Sequence, residues 1–244
     1  MTHRIACVFA HPDDETFCAG GTIAKYCSAG IGTDLYCATN GDAGKTSGVP
    51  VSSREELARI RQDEVRSAAR VLGIESIEFG GYVDGTLHEL EPTNLIGDVV
   101  AFLRKTKPTI VVGFGPEGAP TGHRDHRAMS RVVTAAFFLA GLKTSYPEQV
   151  EAGLAPHVAR RLYYHAWKYP HRDPRLKLES VPATVAIDNT PWLDRKLSAF
   201  KEHKTQQYAY ELFVNDVLLE YEYFALAAGA AQPNGMDDDL FSGL

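Results

Sequence analysis

One histidine and three carboxylates fall within five positions near the start of the chain, in His11-Pro-Asp-Asp-Glu15. The segment follows an apolar run, and after it no Lys or Arg occurs until Lys25. Because adjacent carboxylates repel one another, such a cluster needs a metal ion, a protonated partner or water around it. His11 and Asp14 are three positions apart, which brings both side chains to one side of a turn. Both are zinc-ligand types, and Asp13 is left free for another role.

A second cluster, Gly122-His-Arg-Asp-His126, again places two imidazoles three positions apart with a carboxylate between them. If His126 joins the first cluster, the ligand set is His-Asp-His with one position left for water. A structural zinc uses four protein ligands, so this set indicates a hydrolytic Zn²⁺, and Fe²⁺ or Mn²⁺ would also accept it. Taken alone, the first segment is also compatible with a solvated helix cap, and the second with an exposed helical pair. The two together favour a metal site.

Alternating strands and helices position both clusters. The apolar patterns predict strands at Arg4–Ala10, Thr33–Thr39, Ser76–Phe79, Thr109–Gly113, Arg161–His165 and Thr184–Ile187, and helices at Gly20–Ser28, Ser53–Leu72, Thr93–Arg104, Arg127–Ala140 and Pro191–His203. This order predicts an α/β fold, a Rossmann-like, mostly parallel sheet flanked by helices. Ligands bind at the carboxyl ends of such strands, where both clusters lie. We expect one domain over residues 1–230 and a frayed polar tail at 231–244.

The overall composition excludes several classes of partner. The chain has 244 residues, of which 44% are hydrophobic and 23% charged, as in an ordinary soluble domain. A net charge of −6 without any block of Lys or Arg argues against nucleic acid and anionic membranes as partners. No apolar stretch reaches the roughly 20 residues of a membrane helix, and no secretory signal is visible, so we expect a cytoplasmic protein. The four cysteines match neither a zinc knuckle nor a redox pair.

The motifs as a set resemble the LmbE-like (PIG-L-type) zinc-dependent N-deacetylases. The resemblance rests on HPDDE after the first strand, TNGDAG after the second, GHRDH after a later strand, ARIRQDEVRSAARVLGI, DGTL at 84–87, GFGP at 113–116 and KLSAFKEHKTQQ at 196–207. It extends to about residue 207. The resemblance implies a hydrolase that removes an acetyl group from a small N-acetylglucosamine conjugate, with inositol, malate or another group as the aglycone.

Carried over by position, the resemblance assigns roles to individual residues. It makes His11, Asp14 and His126 the metal ligands and Asp13 the general base that takes a proton from the metal-bound water. It implies that His123 stabilises the oxyanion or protonates the leaving amine, with Asp125 orienting its ring, and that Arg61 and Asp84 hold sugar hydroxyls. The donor of the proton to the amine stays open between His123 and protonated Asp13. Two further substrate contacts are suggested by position in the chain, Asp42 and Trp167.

Two positions depart from the family pattern and keep the substrate open. Thr121 stands where mycothiol-type deacetylases carry a tyrosine, and Arg124 replaces a common proline. The added positive charge of Arg124 suggests an acidic aglycone. One alternative is an amidase that cuts a larger amide such as a thiol conjugate. Another is a sugar- or metal-binding protein without turnover, which would be expected to lack Asp13 or His123. The oligomeric state, a homo-oligomer included, is not determined by the sequence.

Overall fold

A seven-stranded sheet forms the centre of the molecule. The computed structural model describes residues 3–118, 121–167, 179–216, 220–230 and 235–244. The strands are β1 (Arg4–Phe9), β2 (Gly32–Thr39), β3 (Ser76–Tyr82), β4 (Ile110–Phe114), β5 (Arg161–Ala166), β6 (Val185–Asp188) and β7 (Tyr221–Gly229). The helices are α1 (Asp14–Ser28), α2 (Arg54–Leu72), α3 (Thr93–Thr106), α4 (Arg124–Leu139), α5 (Pro147–Glu151), α6 (Leu193–Glu202) and α7 (Gln207–Asp216). Short 3-10 turns lie at Leu87–Glu89, Thr190–Trp192 and Lys204–Gln206.

The sheet is mostly parallel, as the sequence predicts. Its strand order is β3-β2-β1-β4-β5-β7-β6. The strands β1 to β5 pair in parallel, and β7 runs antiparallel between β5 and β6. Every residue of β2 and β4 is buried, which requires cover on both faces of the sheet. The helices α1, α2 and α6 pack with one another, and α3 packs with α4. The predicted α/β architecture is therefore confirmed.

The strand order places the two clusters at the same point of the sheet. The order reverses between β1 and β4, which are neighbours, so their carboxyl ends flank the crevice where sheets of this kind bind ligands. Residues 11–15 follow β1 and residues 122–126 follow β4. The crevice is thus lined by the polar residues that the sequence singles out.

Two helices begin earlier than their apolar patterns predict. The first begins at Asp14 rather than Gly20, and α4 begins at Arg124 rather than Arg127. Acidic side chains in a first turn interact favourably with the helix dipole, which explains why α1 includes Asp14 and Glu15. Position 21 of α1 requires glycine, because a Cβ atom there would lie 2.3 Å from the Asn189 side chain. Both early starts bring site residues into a first helical turn.

The C-terminal third differs most from expectation. The antiparallel strand β7 has no counterpart in the predicted elements, because its alanines and glycine are poor strand formers. It pairs with β5 and β6, so Arg161–Ala166 lies inside the sheet and Val185–Asp188 forms one edge. Within the described ranges, no helix is both long and apolar enough to cross a membrane. The four cysteines carry free thiols, and three of them are buried.

The expectation of a frayed tail is wrong for the described residues 235–244. Leu240 is fully buried in the core. The backbone of Asp237 exchanges hydrogen bonds with Thr184 (2.9 Å) and Ala186 (2.8 Å) beside β6. Buried Arg161 donates from Nη2 to the carbonyl of Ser242 at 2.7 Å. The buried side chains of Leu240 and Arg161 thus hold this mostly polar segment against the rest of the protein. Residues 231–234 lie outside the described part of the chain.

Replacing the tail anchor should destabilise the protein. We expect Leu240→Ala to lower the free energy of unfolding by about 2–5 kcal/mol, because it removes a fully buried side chain. Met236→Ala, at a 46% exposed position of the same segment, should change it by no more than about 0.5 kcal/mol. Urea unfolding of both variants measures the difference. Equal, small effects would mean that the tail does not contribute to the core.

Candidate active site

Three predicted metal ligands converge where β1 and β4 end. His11 follows β1, Asp14 opens α1, and His126 lies in the first turn of α4. His11 Nδ1 lies 3.1 Å from His126 Nε2, and the two oxygens of Asp14 lie 3.5 Å and 3.4 Å from these nitrogens. All three side chains are buried. The structure therefore brings together residues that are separated by more than a hundred positions in the sequence.

The donor separations fit a small divalent ion. Ligands at about 2.1 Å from a tetrahedral zinc lie about 3.4 Å from one another. The separations of His126 Nε2 from His11 Nδ1 (3.1 Å) and from Asp14 Oδ1 (3.4 Å) are close to this value. Asp14 Oδ2 also accepts hydrogen bonds from the backbone N–H groups of Ala10 (3.2 Å) and His11 (2.7 Å). Burial acts to raise the pKa of Asp14, but His126 and His11 outweigh it and hold the pKa well below its usual range. Asp14 is thus held ionised, as a metal ligand must be.

Two aspartates lie beside the first of these candidate ligands. His11 Nε2, on the far side of the ring from His126, lies 3.1 Å from Asp84 Oδ1 and 3.5 Å from Asp125 Oδ2. A metal-bound histidine commonly donates its other N–H to a carboxylate, which fixes the tautomer and the ring. Although burial acts to raise it, the pKa of Asp125 falls to about 2, chiefly through its contact with His11. Asp84 and Asp125 therefore support His11.

Two carboxylates that the sequence assigns to His123 and to the sugar have other partners in the structure. The carboxylate of Asp125 faces His11 and accepts a hydrogen bond from the backbone N–H of Gly85 at 2.8 Å. The contact of Asp125 with His123 is made by its backbone instead, whose N–H donates to His123 Nδ1 at 3.2 Å. The carboxylate thus lies beside His11 rather than His123. Asp84, expected to hold sugar hydroxyls, is buried against His11 and accepts from the N–H of Ala43 at 3.2 Å.

His123 lies at the open side of the cluster. It caps α4, and its exposed ring lies 4.8 Å from the His11 ring and 5.1 Å from the His126 ring, centroid to centroid. Its pKa is lowered by partial burial and by the neighbouring His11 and His126. Because Nδ1 accepts a backbone hydrogen bond, the proton of the neutral ring resides on Nε2. His123 can therefore present an N–H donor to a substrate.

Asp13 combines an unusual backbone with a perturbed carboxyl group. Its φ angle is 131°, in a region that side chains rarely adopt, and such strain is concentrated at functional sites. Burial raises the pKa of the carboxyl group to about 6, although the nearby guanidinium of Arg61 opposes this. A general base works best when its pKa lies near the working pH. Asp13 has the properties of such a base.

Arg61 is buried and contacts protein groups. Its side chain is 3% exposed. It donates to the carbonyl oxygens of Pro12 and Gly41, and Nη2 lies 3.2 Å from Asp13 Oδ2. The guanidinium thus joins the loops after β1 and β2 and faces Asp13 from the protein side. Its two Nη groups are engaged by these protein groups, and the role toward sugar hydroxyls stays a prediction.

The two remaining substrate candidates have structural surroundings. Asp42 accepts from the Arg54 guanidinium (2.8 Å) and from the backbone N–H of Asp84 (3.0 Å), so it links two loops. Trp167, at the end of β5, is only 5% exposed, which leaves little ring surface for stacking on a sugar. Neither is placed among the converging side chains at the metal cluster. Tyr169, in the same stretch, lies outside the described residues.

The sequence gives little sign of two further histidines at the site. The sequence assigns no role to His88. Its Nδ1 lies 3.3 Å from Asp125 Oδ1, so the series of polar contacts that starts at His11 continues through Asp125 to His88. The only feature of the sequence that points to His88 is its position just after DGTL. His203, for which packing and a role at the pocket are equally compatible with the sequence, is fully buried against Glu15, with 2.8 Å between Nε2 and Oε1.

The family model described as PIG-L, GlcNAc-PI de-N-acetylase, matches residues 6–137. This segment covers more than half of the chain and contains both clusters. The chain belongs to the PIG-L family. It is 29% identical over 288 aligned positions to 1D-myo-inositol 2-acetamido-2-deoxy-alpha-D-glucopyranoside deacetylase of Rhodococcus erythropolis, with 99% of this chain and 97% of the relative covered.

Solved structures share the fold of this PIG-L protein. N,N'-diacetylchitobiose deacetylase of Pyrococcus horikoshii gives a TM-score of 0.75 at 24% identity, covering 91% of this chain and 83% of its own. GalB, the 4-carboxy-2-hydroxymuconate hydratase of Pseudomonas putida, gives 0.76 at 19% identity, covering 95% and 99%. Because a deacetylase and a hydratase share this fold, the reaction must be argued from the site.

Because Asp125 lies beside His11, we expect its carboxylate to affect metal affinity. Asp125→Asn should weaken zinc binding by about 10–100-fold, because the ring of His11 loses an orienting carboxylate. Asp98→Asn, an exposed change that leaves the site untouched, should not alter it. Competition with a chelating dye measures both affinities. Unchanged zinc affinity in Asp125→Asn would return Asp125 to the role expected from the sequence, that of orienting His123.

Proposed function

We propose that this protein is a metal-dependent N-deacetylase that removes the acetyl group from a small N-acetylglucosamine conjugate. Zinc is the preferred ion, with Fe²⁺ or Mn²⁺ as alternatives that the same donors accept. The observation that carries the proposal is the convergence of His11, Asp14 and His126 beside a carboxylate whose pKa is about 6. Membership of the PIG-L family and the deacetylase name of its Rhodococcus relative support the same reaction class.

Asp13 is proposed as the general base. A bound divalent ion would supply Lewis acidity and lower the pKa of a water molecule in the site. Asp13 takes the proton of the attacking water as its oxygen joins the acetyl carbon, and the C–N bond then breaks to give acetate and a free amine. A carboxyl group with a pKa of about 6 is mostly ionised at neutral pH, so it can accept this proton and later release it.

His123 is proposed to stabilise the negative oxygen that develops on the acetyl group. Its Nδ1 is engaged by the N–H of Asp125, which leaves the Nε2–H as the donor that can face the substrate. Such a donor contributes about 10²–10³-fold to kcat in amide hydrolysis. The amine must gain a proton as it leaves, and either His123 or protonated Asp13 can deliver it. Removal of this donor acts on the transition state rather than on substrate binding.

Arg124 is proposed to select the aglycone. It is exposed and lies next to His123 in the chain, whereas Arg61 is buried and engaged with protein groups. A guanidinium at this position favours a carboxylate on the substrate, because paired planar groups form two parallel hydrogen bonds. A malate conjugate is therefore expected to be deacetylated more efficiently than an inositol conjugate.

The proposed function is tested by amine release from a panel of N-acetylglucosaminides. The panel contains the malate and inositol conjugates and N,N'-diacetylchitobiose. We expect about one metal ion per chain and amine release that a chelator abolishes and added zinc restores. A protein that holds one zinc yet releases no amine from any member would contradict the deacetylase. Equal kcat/KM for malate and inositol conjugates would refute only the role of Arg124.

The adjacent aspartates should separate metal binding from catalysis. Asp14→Ala should lose the metal, because the side chain is one of the three donors. Asp13→Asn should keep it and lower kcat by about 10²–10⁴-fold, since an amide cannot accept the proton. Asp63→Asn on the exposed face of α2 is the matched control and should behave as wild type. Equal metal loss in the Asp13 and Asp14 variants would contradict this division of roles.

A further inference from the structure

The turn that follows α6 contacts the site although it lies outside the segment that matches the family model. This turn, His203–Gln206, has three buried residues out of four. Two buried carboxylates reach it from other helices: Glu15 from α1 and Glu64 from α2. Both helices carry groups that contact Asp13. The turn is therefore linked to the proposed general base from two directions.

The first link runs through Glu15 to the backbone of Asp13. His203 Nε2 lies 2.8 Å from Glu15 Oε1, which also accepts from Thr16 Oγ1 at 2.7 Å. The other oxygen, Oε2, accepts from the backbone N–H of Asp13 at 3.1 Å. Glu15 and His203 are 1% and 0% exposed, so water does not compete for these bonds. The carboxylate thus acts as a bridge between a distant histidine and the N–H of Asp13.

The second link runs through Glu64 toward the side chain of Asp13. Both oxygens of Glu64 accept from Thr205, one from its N–H (2.8 Å) and one from Oγ1 (2.7 Å). Arg61 lies three positions before Glu64, almost one turn away on the same side of α2. Its guanidinium contacts the Asp13 carboxylate and the carbonyl of Pro12. The turn therefore helps to fix the helix that carries the cation beside Asp13.

The conformation of Asp13 explains why such support is needed. A non-glycine residue in a rare region of φ and ψ is strained and persists only where its surroundings over-determine it. At φ 131° Asp13 meets that description. The bond from its N–H to Glu15 is the side-chain contact that acts on its backbone directly.

We propose that His203 is a positioning residue for the deacetylation reaction: through Glu15 it holds Asp13 in the backbone conformation that aims its carboxylate into the site. Thr205 provides the second support, through Glu64 and α2. The inference rests on the proposed function, in which Asp13 is the general base. A purely structural role would instead make the Glu15–His203 pair one buried contact among many, with no particular effect on Asp13.

Two substitutions at His203 distinguish these roles. His203→Leu removes the donor to Glu15, whereas His203→Gln keeps an N–H donor near the position of Nε2. We expect the leucine variant to lower kcat by about 10²-fold, with KM and zinc content unchanged, because small misplacements of a reacting group have effects of this size. The glutamine variant should recover most of this loss. A fall in zinc content, or equal kcat in the two variants, would overturn the proposal.

The matched control is Tyr26→Phe, on the same helix. It removes the bond from the Tyr26 hydroxyl to Asp239 (2.7 Å), at the far end of α1. It should lower stability without changing kcat. If it lowers kcat as much as His203→Leu does, the effect is general destabilisation and the proposal fails. Should His203→Leu not fold, Thr205→Val replaces it. A lower kcat with zinc retained would support the role of the Thr205–Glu64 contact in positioning Asp13. An unchanged kcat would refute that role.

Crystal structures of the His203 variants give a readout that does not depend on turnover. We expect φ of Asp13 to leave the positive region in His203→Leu and to stay near 131° in His203→Gln. An unchanged Asp13 in the leucine variant would overturn the positioning role, whatever its activity. If the wild-type protein releases no amine from any substrate, the proposed function fails, while the two structures still decide whether His203 positions Asp13.

Discussion

Three consecutive acidic side chains lie largely buried after β1, and a low-dielectric environment tolerates this only if each has its own partner. Asp13 faces the Arg61 guanidinium, Asp14 faces the two imidazoles of the candidate metal centre, and Glu15 faces His203. Separate partners keep the three carboxylates chemically different although they are adjacent in the sequence. One is held ionised, one has a pKa near 6, and one bridges the backbone N–H of Asp13 and the ring of His203.

This constraint dictates how the rest of the chain folds around the end of β1. The partners come from α2, α4 and the turn after α6, so these elements must all reach the same end of the sheet. The reversal of strand order between β1 and β4 provides the crevice, and Gly20 of α1 allows Lys196 of α6 to pack closely. The C-terminal third, which contains none of the candidate metal ligands, thus contributes to the site by supporting α1 and α2.

The sequence predicts the parts of this site that depend on local spacing and on the parallel sheet. It identifies His11, Asp14 and His126, and the structure brings them within 3.5 Å of one another, although metal binding itself stays a prediction. It does not reveal that Arg61 lies against Asp13 or that Asp125 lies beside His11, because spacing does not determine which way a side chain turns. Strand β7 and the packed tail also escape prediction, since antiparallel pairing and a single buried leucine leave no periodic pattern.

The backbone of Asp13 has a consequence for how stable this protein can become. A glycine would adopt φ 131° with much less strain, so the fold alone would favour glycine at this position. The proposed reaction requires a carboxylate there instead. The strained residue is one that selection for folding would replace and selection for activity would keep. Random variants chosen only for heat resistance should therefore accumulate changes at position 13 and in the contacts that restrain it, and lose activity as they gain stability.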